Sequence, residues 1–469
     1  MGGLDWILIA IYLLIMLGIG FTSMKKVKTN EDYALAGRSV GNFWVILSLF
    51  ASWTGLSGLF GTPQYVYQYG IAGWWWWVTF PLGVFIMGMT MAKLLRKRMY
   101  TTLSDTVDPL HSSPAIRIVS SLVTVWNYLA WTAGQVAGII LVITTFTNLN
   151  GTTAVIIAYI IIVIFTVLGG LRAVLYTDSF QSVLFLLVIG LVIPAVILSR
   201  YNVAEAIDST RQIDGYYSLF SSVPSGTMIT WWLLAPAGFI DTMAFQRIFA
   251  AKDEKSAKKN IEGAFILMVI FGLVLTFIGV MAHVILPNGS DPATVMLDTV
   301  KVILPSGIRG LLVVAFAGVA VSTASSTLLA CSTTLEQDVF AVLYKGEYNN
   351  KTAILVNRIF VGVVGLLSLV LALKVGSVTK ILMYGYSVYV PGLLLPVIAR
   401  TCNMKIGEKY ILSTMIVGVI SSVVLILIGE PFPASLGGLL LSAIPFAIGW
   451  GCSKKQALTG SSFLDYRSA

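Results

Sequence analysis

Long apolar runs constrain this chain more than any other feature of its sequence. Runs of about 20 residues, each sufficient to cross a hydrocarbon core of about 30 Å, recur from residue 4 to residue 451. Only 11% of the residues are charged, whereas a soluble domain has about 25%. The runs are apolar on all sides and do not alternate, which excludes an outer-membrane barrel. We therefore predict an all-α integral membrane protein with many spans.

Several classes of function are excluded by what the sequence lacks. It has no G-x-x-x-x-G-K-[ST] motif, so ATP is not expected to be the direct energy source. Its two histidines and three cysteines are far apart and lack the spacing of haem or zinc ligands. No nucleophile–base pair occurs at a plausible spacing, so we do not expect an enzyme or an organic cofactor.

We predict thirteen spans, whose charged loops also predict the orientation. With the N-terminus outside, about four fifths of the 30 lysines and arginines lie on the cytoplasmic side, as the positive-inside rule requires. This bias explains the net charge of +9 without a nucleic-acid partner. We expect a plasma-membrane protein (inner membrane in a Gram-negative bacterium) with a cytoplasmic C-terminus. The predicted spans cover about 4–22, 42–69, 74–95, 115–147, 152–170, 179–199, 225–246, 261–286, 307–340, 355–373, 379–400, 409–428 and 434–451.

Two spans contain helix-breaking residues near their middle. Span 2 contains Gly55, Gly58 and Pro63, and span 7 contains Pro236 and Gly238. Four spans separate the two, so each can open a five-span repeat, and the odd number makes the repeats inverted. Paired broken helices in inverted halves indicate the midplane site of a secondary transporter, although membrane helices also tolerate Gly and Pro.

The same pattern predicts how the chain is divided. It gives a leading helix and loop over 1–41, a first repeat over 42–199, an outer loop over 200–224 and a second repeat over 225–400. Two trailing helices follow over 401–451, and then a cytoplasmic tail over 452–469.

Small hydroxylated residues on span 9 predict a cation site. Val319 and Ser322 are three residues apart and share a helix face, with Thr323 beside it. One carbonyl and two hydroxyl oxygens thus approach one point, and the broken span 2 would supply further carbonyls for a hard monovalent cation. Packing of helices through small residues is the alternative explanation.

Several motifs resemble the sodium:solute symporter family. They are GGLRAVLYTDSFQ at 169–181, FQR at 245–247 followed by a basic loop, and the hydroxyl stripe that ends at Asp338. The resemblance covers roughly residues 5–430. It implies an inverted five-plus-five fold of the leucine-transporter type, with sodium as the coupling ion.

The resemblance also implies individual sodium ligands. These are the carbonyl groups of Ala51, Thr54 and Val319 and the hydroxyl groups of Ser322 and Thr323. Asp178 would lie on the inner exit route of sodium, or it would only cap the start of span 6 as an N-cap residue.

Within that family, residues 51–55 look most like the high-affinity choline transporters. The resemblance implies that Trp53 forms one wall of an aromatic cage around a cationic group. Tyr128 or Trp131 on span 4 would form another wall; these two share a helix face, and the sequence does not decide between them. Gln135 is a further candidate for polar contact with the solute, with bonding between helices as the alternative.

Asp241 stands where those transporters have a second cage tryptophan. A carboxylate within a span is costly and indicates function. Pairing with Arg247 is disfavoured, because residues six apart lie on nearly opposite helix faces. Asp241 is expected to pair with a solute amine, or to bind a second cation or a proton.

These observations predict a sodium-coupled symporter that imports a small cationic or zwitterionic solute by alternating access. The candidates include a choline-like amine, an amino acid and a polyamine. Its partners are the solute and the lipid bilayer, with no obligatory protein partner. A proton-coupled transporter on the same fold and a solute-binding membrane sensor are the alternatives.

The four tryptophans at 74–77 are interpreted as an interfacial belt.

Overall fold

The computed structural model describes residues 3–25, 27–147, 149–220, 222–305, 309–344, 346–375, 377–429 and 431–458, and the elements in that part are helical. By length and hydropathy, eleven stretches of it can cross a membrane, and the bent pair Asn30–Arg38 with Asn42–Thr54 makes a twelfth. The predicted all-helical membrane architecture is confirmed. The fifth predicted span, over 152–170, shares one helix, Gly151–Phe185, with the start of the sixth, and this helix turns at Gly170.

The first half of the chain contains ten helices within the described residues. Short 3₁₀ turns at Ala36–Arg38 and Gly70–Gly73 and a π-helical turn at Leu186–Val192 accompany them. The helices are α1 (Gly3–Met24), α2 (Asn30–Leu35), α3 (Asn42–Thr54), α4 (Leu56–Tyr69), α5 (Trp74–Lys97), α6 (Ser104–Val107), α7 (Pro114–Phe146), α8 (Gly151–Phe185), α9 (Ile193–Arg200) and α10 (Val203–Arg211).

The second half contains eleven helices within the described residues, with a 3₁₀ turn at Pro292–Thr294 and a π-helical turn at Glu336–Phe340. They are α11 (Ser225–Trp232), α12 (Leu234–Phe239), α13 (Thr242–Ala250), α14 (Glu254–Ile285), α15 (Val295–Ile303), α16 (Arg309–Leu335), α17 (Ala341–Tyr344), α18 (Asn350–Val375), α19 (Val378–Thr401), α20 (Glu408–Ile428) and α21 (Pro431–Leu458).

The break in span 2 falls at Gly55, as the sequence predicts. Its φ of 34° and ψ of 148° end α3 and start α4 in a new direction. The amide of Leu56 does not continue the helix; it donates to the side-chain oxygen of Gln135 on α7, at 2.8 Å. The last turn of α3 therefore keeps carbonyl groups that lack the usual helical partner.

Span 7 is divided into three short helices, α11, α12 and α13, packed closely on α5. A Cβ atom on Gly83 would lie 2.7 Å from the carbonyl carbon of Ala235, and one on Gly238 would lie 3.0 Å from that of Phe80. These distances are shorter than van der Waals contact, so only glycine fits. The two glycines therefore let the broken span approach α5 backbone to backbone.

Span 6 begins earlier than predicted, and this corrects the role of Asp178 as a helix cap. Helix α8 turns sharply at Gly170, where φ is 57°. A Cβ atom there would also lie 2.6 Å from the carbonyl oxygen of Tyr33. Asp178 follows eight residues later inside continuous helix, where no amide needs a cap. The N-cap prediction is wrong because the chain starts span 6 with glycine geometry.

The tryptophans at 74–77 do not form a belt together. Trp76 and Trp77 are only 5% and 3% exposed. The Trp77 indole donates to the carbonyl of Met268 on α14 at 2.7 Å, while the Trp75 indole donates to the carbonyl of Leu219 in the loop between α10 and α11 at 2.9 Å. The belt interpretation is wrong for Trp76 and Trp77, because their face of α5 packs against the protein.

Helix α16 lies at the centre of the fold. Of the apolar stretch in Arg309–Tyr344, 89% is buried, compared with 22% for α1 at the edge. Its neighbours include α3, α7 and α8. This position places its hydroxyl groups beside the break in span 2.

Candidate functional site

The last turn of α3 meets α16 at a group of oxygen atoms. The hydroxyls of Ser322 and Thr323 lie 3.2 Å and 3.4 Å from the carbonyl oxygen of Ala51, and that of Ser322 lies 3.0 Å from the carbonyl oxygen of Val319. All four residues are fully buried. The structure thus brings together four of the five residues predicted to bind sodium.

The fifth predicted ligand, Thr54, ends α3 at the break. Its hydroxyl donates to the carbonyl of Phe50 at 2.7 Å, so its carbonyl is the group left for a ligand. Carbonyl and hydroxyl oxygens without a carboxylate form a neutral donor set. Such a set suits a hard cation of single charge, for which no negative ligand is needed.

A second group of side chains surrounds Asp241. One carboxylate oxygen accepts hydrogen bonds from the indole of Trp53 and the amide of Ala244, both at 2.9 Å, and the other accepts one from the hydroxyl of Tyr128. Asp241 is the N-cap of α13 and is 1% exposed. Residues of α3, α7 and α13 therefore meet at one buried carboxyl group.

Aromatic rings enclose this carboxylate. The rings of Tyr128 and Trp131 are 6.0 Å apart between centroids, and Trp131 packs in turn on Phe80 and Tyr386 at 5.3 Å and 6.0 Å. Tyr389 approaches Tyr128 from α19 at 6.2 Å. Both span 4 candidates thus line the same site, with Tyr128 bonded to Asp241 and Trp131 about one turn farther along α7.

Gln135 is used differently from the other candidates. Its side-chain oxygen accepts the amide of Leu56, and its nitrogen donates to the carbonyl of Trp131 at 3.4 Å. This residue connects α7 to the break in span 2. Its structural role is therefore the bonding between helices that the sequence left as the alternative.

The structure also shows a buried ion pair that sequence reasoning missed. Arg247 does not pair with Asp241; its Nη2 lies 3.5 Å from the carboxylate of Asp178, and both side chains are fully buried. Three serine hydroxyls surround the pair, those of Ser48, Ser52 and Ser326. An arginine and an aspartate in apolar spans are costly unless paired, and this was the available signal.

A second ion pair that sequence reasoning missed lies beyond the C-terminal end of α16. Arg117 on α7 pairs with Asp105 at 3.0 Å and with Asp338 in the π-helical turn. The hydroxyl of Thr102 also donates to Asp338, at 3.3 Å. A cavity of about 570 Å³ adjoins the group and includes Glu336 in its wall.

The central site is buried in this conformation. Trp53 and Trp131 are each 5% exposed, and Tyr128 is fully buried. Near it, the ring of Trp231 packs at a tilt of 52° against the ring of Tyr65, with 4.9 Å between the centroids.

Sequence comparison places the chain among known transporters. The family model of the sodium:solute symporter family matches residues 33–428. An osmoregulated proline transporter, OpuE of Bacillus subtilis, is 27% identical over 93% of this chain and 92% of its own. The high-affinity choline transporter 1 of Drosophila melanogaster is 26% identical over 79% of this chain and 62% of its own. A sodium/proline symporter of Staphylococcus aureus is 27% identical over 78% of this chain and 75% of its own.

Structural comparison shows the same fold. A Na⁺-coupled sialic acid symporter superposes with a TM-score of 0.82 at 19% identity, over 97% of this chain and 98% of that one. Mhp1, a nucleobase-cation-symport-1 family transporter, superposes with a TM-score of 0.59 at 15% identity, over 90% of this chain and 95% of that one. The predicted leucine-transporter type of fold is confirmed.

Proposed function

Because the chain belongs to the sodium:solute symporter family, we propose that it imports a small cationic or zwitterionic organic solute, driven by sodium. The observation that carries this proposal is the buried carboxylate of Asp241 between Trp53 and Tyr128. The carboxylate accepts three hydrogen bonds from neutral donors. A carboxylate has about four acceptor positions, so one is left for a solute amine.

Charge balance favours a solute with a positively charged nitrogen. Among the described residues, the donors to Asp241 are an indole, a phenol and an amide, and none carries charge. The guanidinium of Arg247 is bonded to Asp178 instead. A negative charge at membrane depth is costly unless it is paired. An ammonium group on the solute would supply the partner, and the surrounding rings would add cation–π attraction.

The names of the relatives agree with this chemistry. Two are named for proline and one for choline. Both solutes carry a positively charged nitrogen, one within a zwitterion and one as a quaternary ammonium. We therefore place an amino acid or a choline-like amine before a polyamine.

The geometry also suggests how sodium and solute are coupled. The carbonyl of Ala51 faces Ser322 and Thr323, and two residues later the indole of Trp53 binds Asp241. Sodium at Ala51 would hold the last turn of α3 in place, and this would present Trp53 to the solute site. Each ligand would then increase the affinity for the other, which is the requirement for coupled transport.

We extend the proposal to the orientation and the path. The N-terminus would lie outside and the C-terminus in the cytoplasm, as the loop charges indicate. Sodium and solute would bind from the outside, and rocking of one helix bundle against the other would expose them to the cytoplasm. Asp178 would lie on the inner route of sodium, below Ser322.

The test is uptake into proteoliposomes of a labelled panel, with and without an inward sodium gradient. The panel contains proline, choline, betaine, basic amino acids, polyamines, a sugar and a short carboxylate. Sodium-dependent accumulation of one amine is expected. Accumulation of only a neutral or anionic solute would contradict the role of Asp241. Uptake that follows a proton gradient and ignores sodium would favour the proton-coupled alternative, with Asp241 as carrier. Binding of a solute without transport would favour the sensor.

A further inference from the structure

A groove lies on the outside of the helix bundle, where α1 ends and α3 begins. It has a volume of about 490 Å³ and is bounded by the last turns of α1, the first turns of α3 and the part of α8 that follows Gly170. Phe43 and Trp44 in its wall are 62% and 39% exposed. The Trp44 ring packs edge to face on the ring of Tyr176, with 5.2 Å between the centroids. The protein thus leaves a large aromatic surface uncovered here.

The hydroxyl groups in the wall are used within the protein. The hydroxyl of Thr22 donates to the carbonyl of Gly18 at 2.9 Å, and that of Ser179 donates to the carbonyl of Leu175 at 2.6 Å. Each proton is therefore bound to the backbone of its own helix. An apolar wall of this kind favours a hydrocarbon occupant.

The length of the groove matches the reach of an acyl chain. Along α8 the wall extends from Tyr176 to Val183, which is about 10 Å at 1.5 Å per residue. One leaflet of a bilayer is about 15 Å deep. The groove lies at the ends of α1 and α3, so a chain can enter from the membrane surface, where tryptophan and tyrosine rings are enriched.

Two exposed lysines follow the groove at the end of α1. Lys25 comes two residues after Ser23, which belongs to the wall, and Lys28 comes three residues later. Within the described part of the chain, neither ammonium group forms an ion pair with a carboxylate. These two positive charges are therefore available to a ligand at the membrane surface.

The acidic residues of the next helix, α2, do not compete for these charges. Glu31 pairs with Arg38 at 2.8 Å, and the carboxylate of Asp32 accepts the amides of Lys28 and Thr29 at 3.2 Å and 3.0 Å. A lysine near the membrane surface strengthens the binding of an anionic lipid about fivefold. Two lysines therefore predict a preference of about 25-fold for an anionic headgroup.

We propose that this groove binds one anionic phospholipid, with an acyl chain between α1, α3 and α8 and the phosphate group at Lys25 and Lys28. A phospholipid fits better than a second copy of this chain, because one molecule supplies both the hydrocarbon and the negative charge. The lipid also stabilises the contact between α3 and α8, where the hydroxyl of Ser182 donates to the carbonyl of Leu47 at 2.6 Å.

The first experiment compares two lipids that have the same acyl chains. The purified protein, delipidated in detergent, is titrated with dioleoyl phosphatidylglycerol or dioleoyl phosphatidylcholine, and bound lipid is counted by native mass spectrometry. We expect one phosphatidylglycerol per chain, bound about 25-fold more tightly than phosphatidylcholine, and a higher melting temperature of the lipid-bound protein. Equal affinities for the two lipids, or no saturable binding, would overturn the proposal.

The second experiment removes the charges beside the groove. Lys25→Gln combined with Lys28→Gln should abolish the preference for phosphatidylglycerol. Lys93→Gln combined with Lys97→Gln removes two exposed lysines at the end of α5 and should leave the preference unchanged. A preference that survives in the first pair, or that both pairs lose equally, contradicts the position of the headgroup.

The third experiment fills the groove. Ile19→Trp enlarges a residue of the wall and should prevent saturable binding of both lipids. Leu14→Trp, at a position of the same helix that is 69% exposed and outside the wall, should bind them as the wild type does. Lipid binding by Ile19→Trp that equals the wild type would overturn the proposal, and so would a dimer that this variant dissociates. If Ile19→Trp does not fold, the headgroup preference and the lysine variants still decide.

Discussion

Replacing Asp241 with Asn tests the solute site most directly, since it removes a charge and preserves the size of the side chain. The Asn oxygen can still accept from Trp53 and from the amide of Ala244, as one oxygen of Asp241 does. Its amino group would face the hydroxyl of Tyr128, which can turn to accept a hydrogen bond. Asn is as good an N-cap as Asp, so we expect the Asp241→Asn protein to fold.

The effect on solute affinity follows from the lost charge. Truncating one partner of a buried charge pair costs about 2–5 kcal/mol. At about 1.4 kcal/mol for each tenfold change, this predicts a loss of about 30- to 4000-fold in apparent affinity for an amine solute. The proposed sodium site uses other groups, on α3 and α16. Sodium affinity without solute should therefore change much less than solute affinity.

Asp241→Ala is the matched variant that should also damage the fold. It removes the N-cap of α13, at about 1 kcal/mol. It also leaves the Trp53 indole and the Tyr128 hydroxyl buried without an acceptor, at about 1–3 kcal/mol each. We expect a total destabilisation of about 3–7 kcal/mol, seen as a large drop in thermal stability that Asp241→Asn does not show.

The assay is concentration-dependent uptake into proteoliposomes, with thermal unfolding of the same preparations. Asp241→Asn should retain most of its stability and need far more solute for half-maximal uptake. If this variant transports the amine with unchanged affinity, Asp241 does not bind the solute and the reasoning is refuted. If the variant instead acquires uptake of a neutral analogue of the solute, the carboxylate of Asp241 determines which solute charge is accepted.

The remaining predictions concern the sodium site and the two breaks. Ser322→Ala should raise the sodium concentration for half-maximal uptake more than it lowers the maximal rate. Ser332→Ala on the same helix should leave the sodium dependence of uptake unchanged. If the two variants show the same sodium dependence, Ser322 does not belong to the site. Gln135→Leu leaves the buried amide of Leu56 without an acceptor. It should lower the free energy of unfolding by about 1–3 kcal/mol, and an unchanged thermal unfolding curve would contradict this. Gly83→Ala forces α12 away from α5 and should cost about 1–3 kcal/mol. Gly226→Ala, where nothing lies within 4 Å of the added Cβ, is its control, and equal stability of the two would refute the close approach.

Features that depend on neighbouring residues could be predicted from the sequence. The breaks at Gly55 and in span 7 were visible because helix-breaking residues act where they stand. The alignment of Ser322 with Val319 follows from helix periodicity, and the structure places them as predicted. That these groups bind sodium stays a prediction.

Features that depend on distant residues could not be predicted in the same way. Arg247 is 69 residues from Asp178 and 199 from Ser48, so the sequence showed a lone arginine and a lone aspartate. The cap assigned to Asp178 was wrong because hydropathy set the start of span 6 too late. The turn at Gly170 lay in the quoted motif, but the close approach of the Tyr33 backbone, which comes from a distant part of the chain, could not be seen there.

Three consecutive residues at the end of α3 take part in three different clusters. The carbonyl of Ala51 meets α16, the hydroxyl of Ser52 meets Arg247, and the indole of Trp53 meets Asp241. A helix turns by about 100° per residue, so these contacts point in different directions and move as one rigid unit. A sequence that adapts to a new solute would have little freedom in this turn, because each change there would also alter the proposed ion site. Sequence changes that alter the transported solute should therefore concentrate on α7 and α13. Engineering of a new uptake specificity should begin at Tyr128 and Asp241.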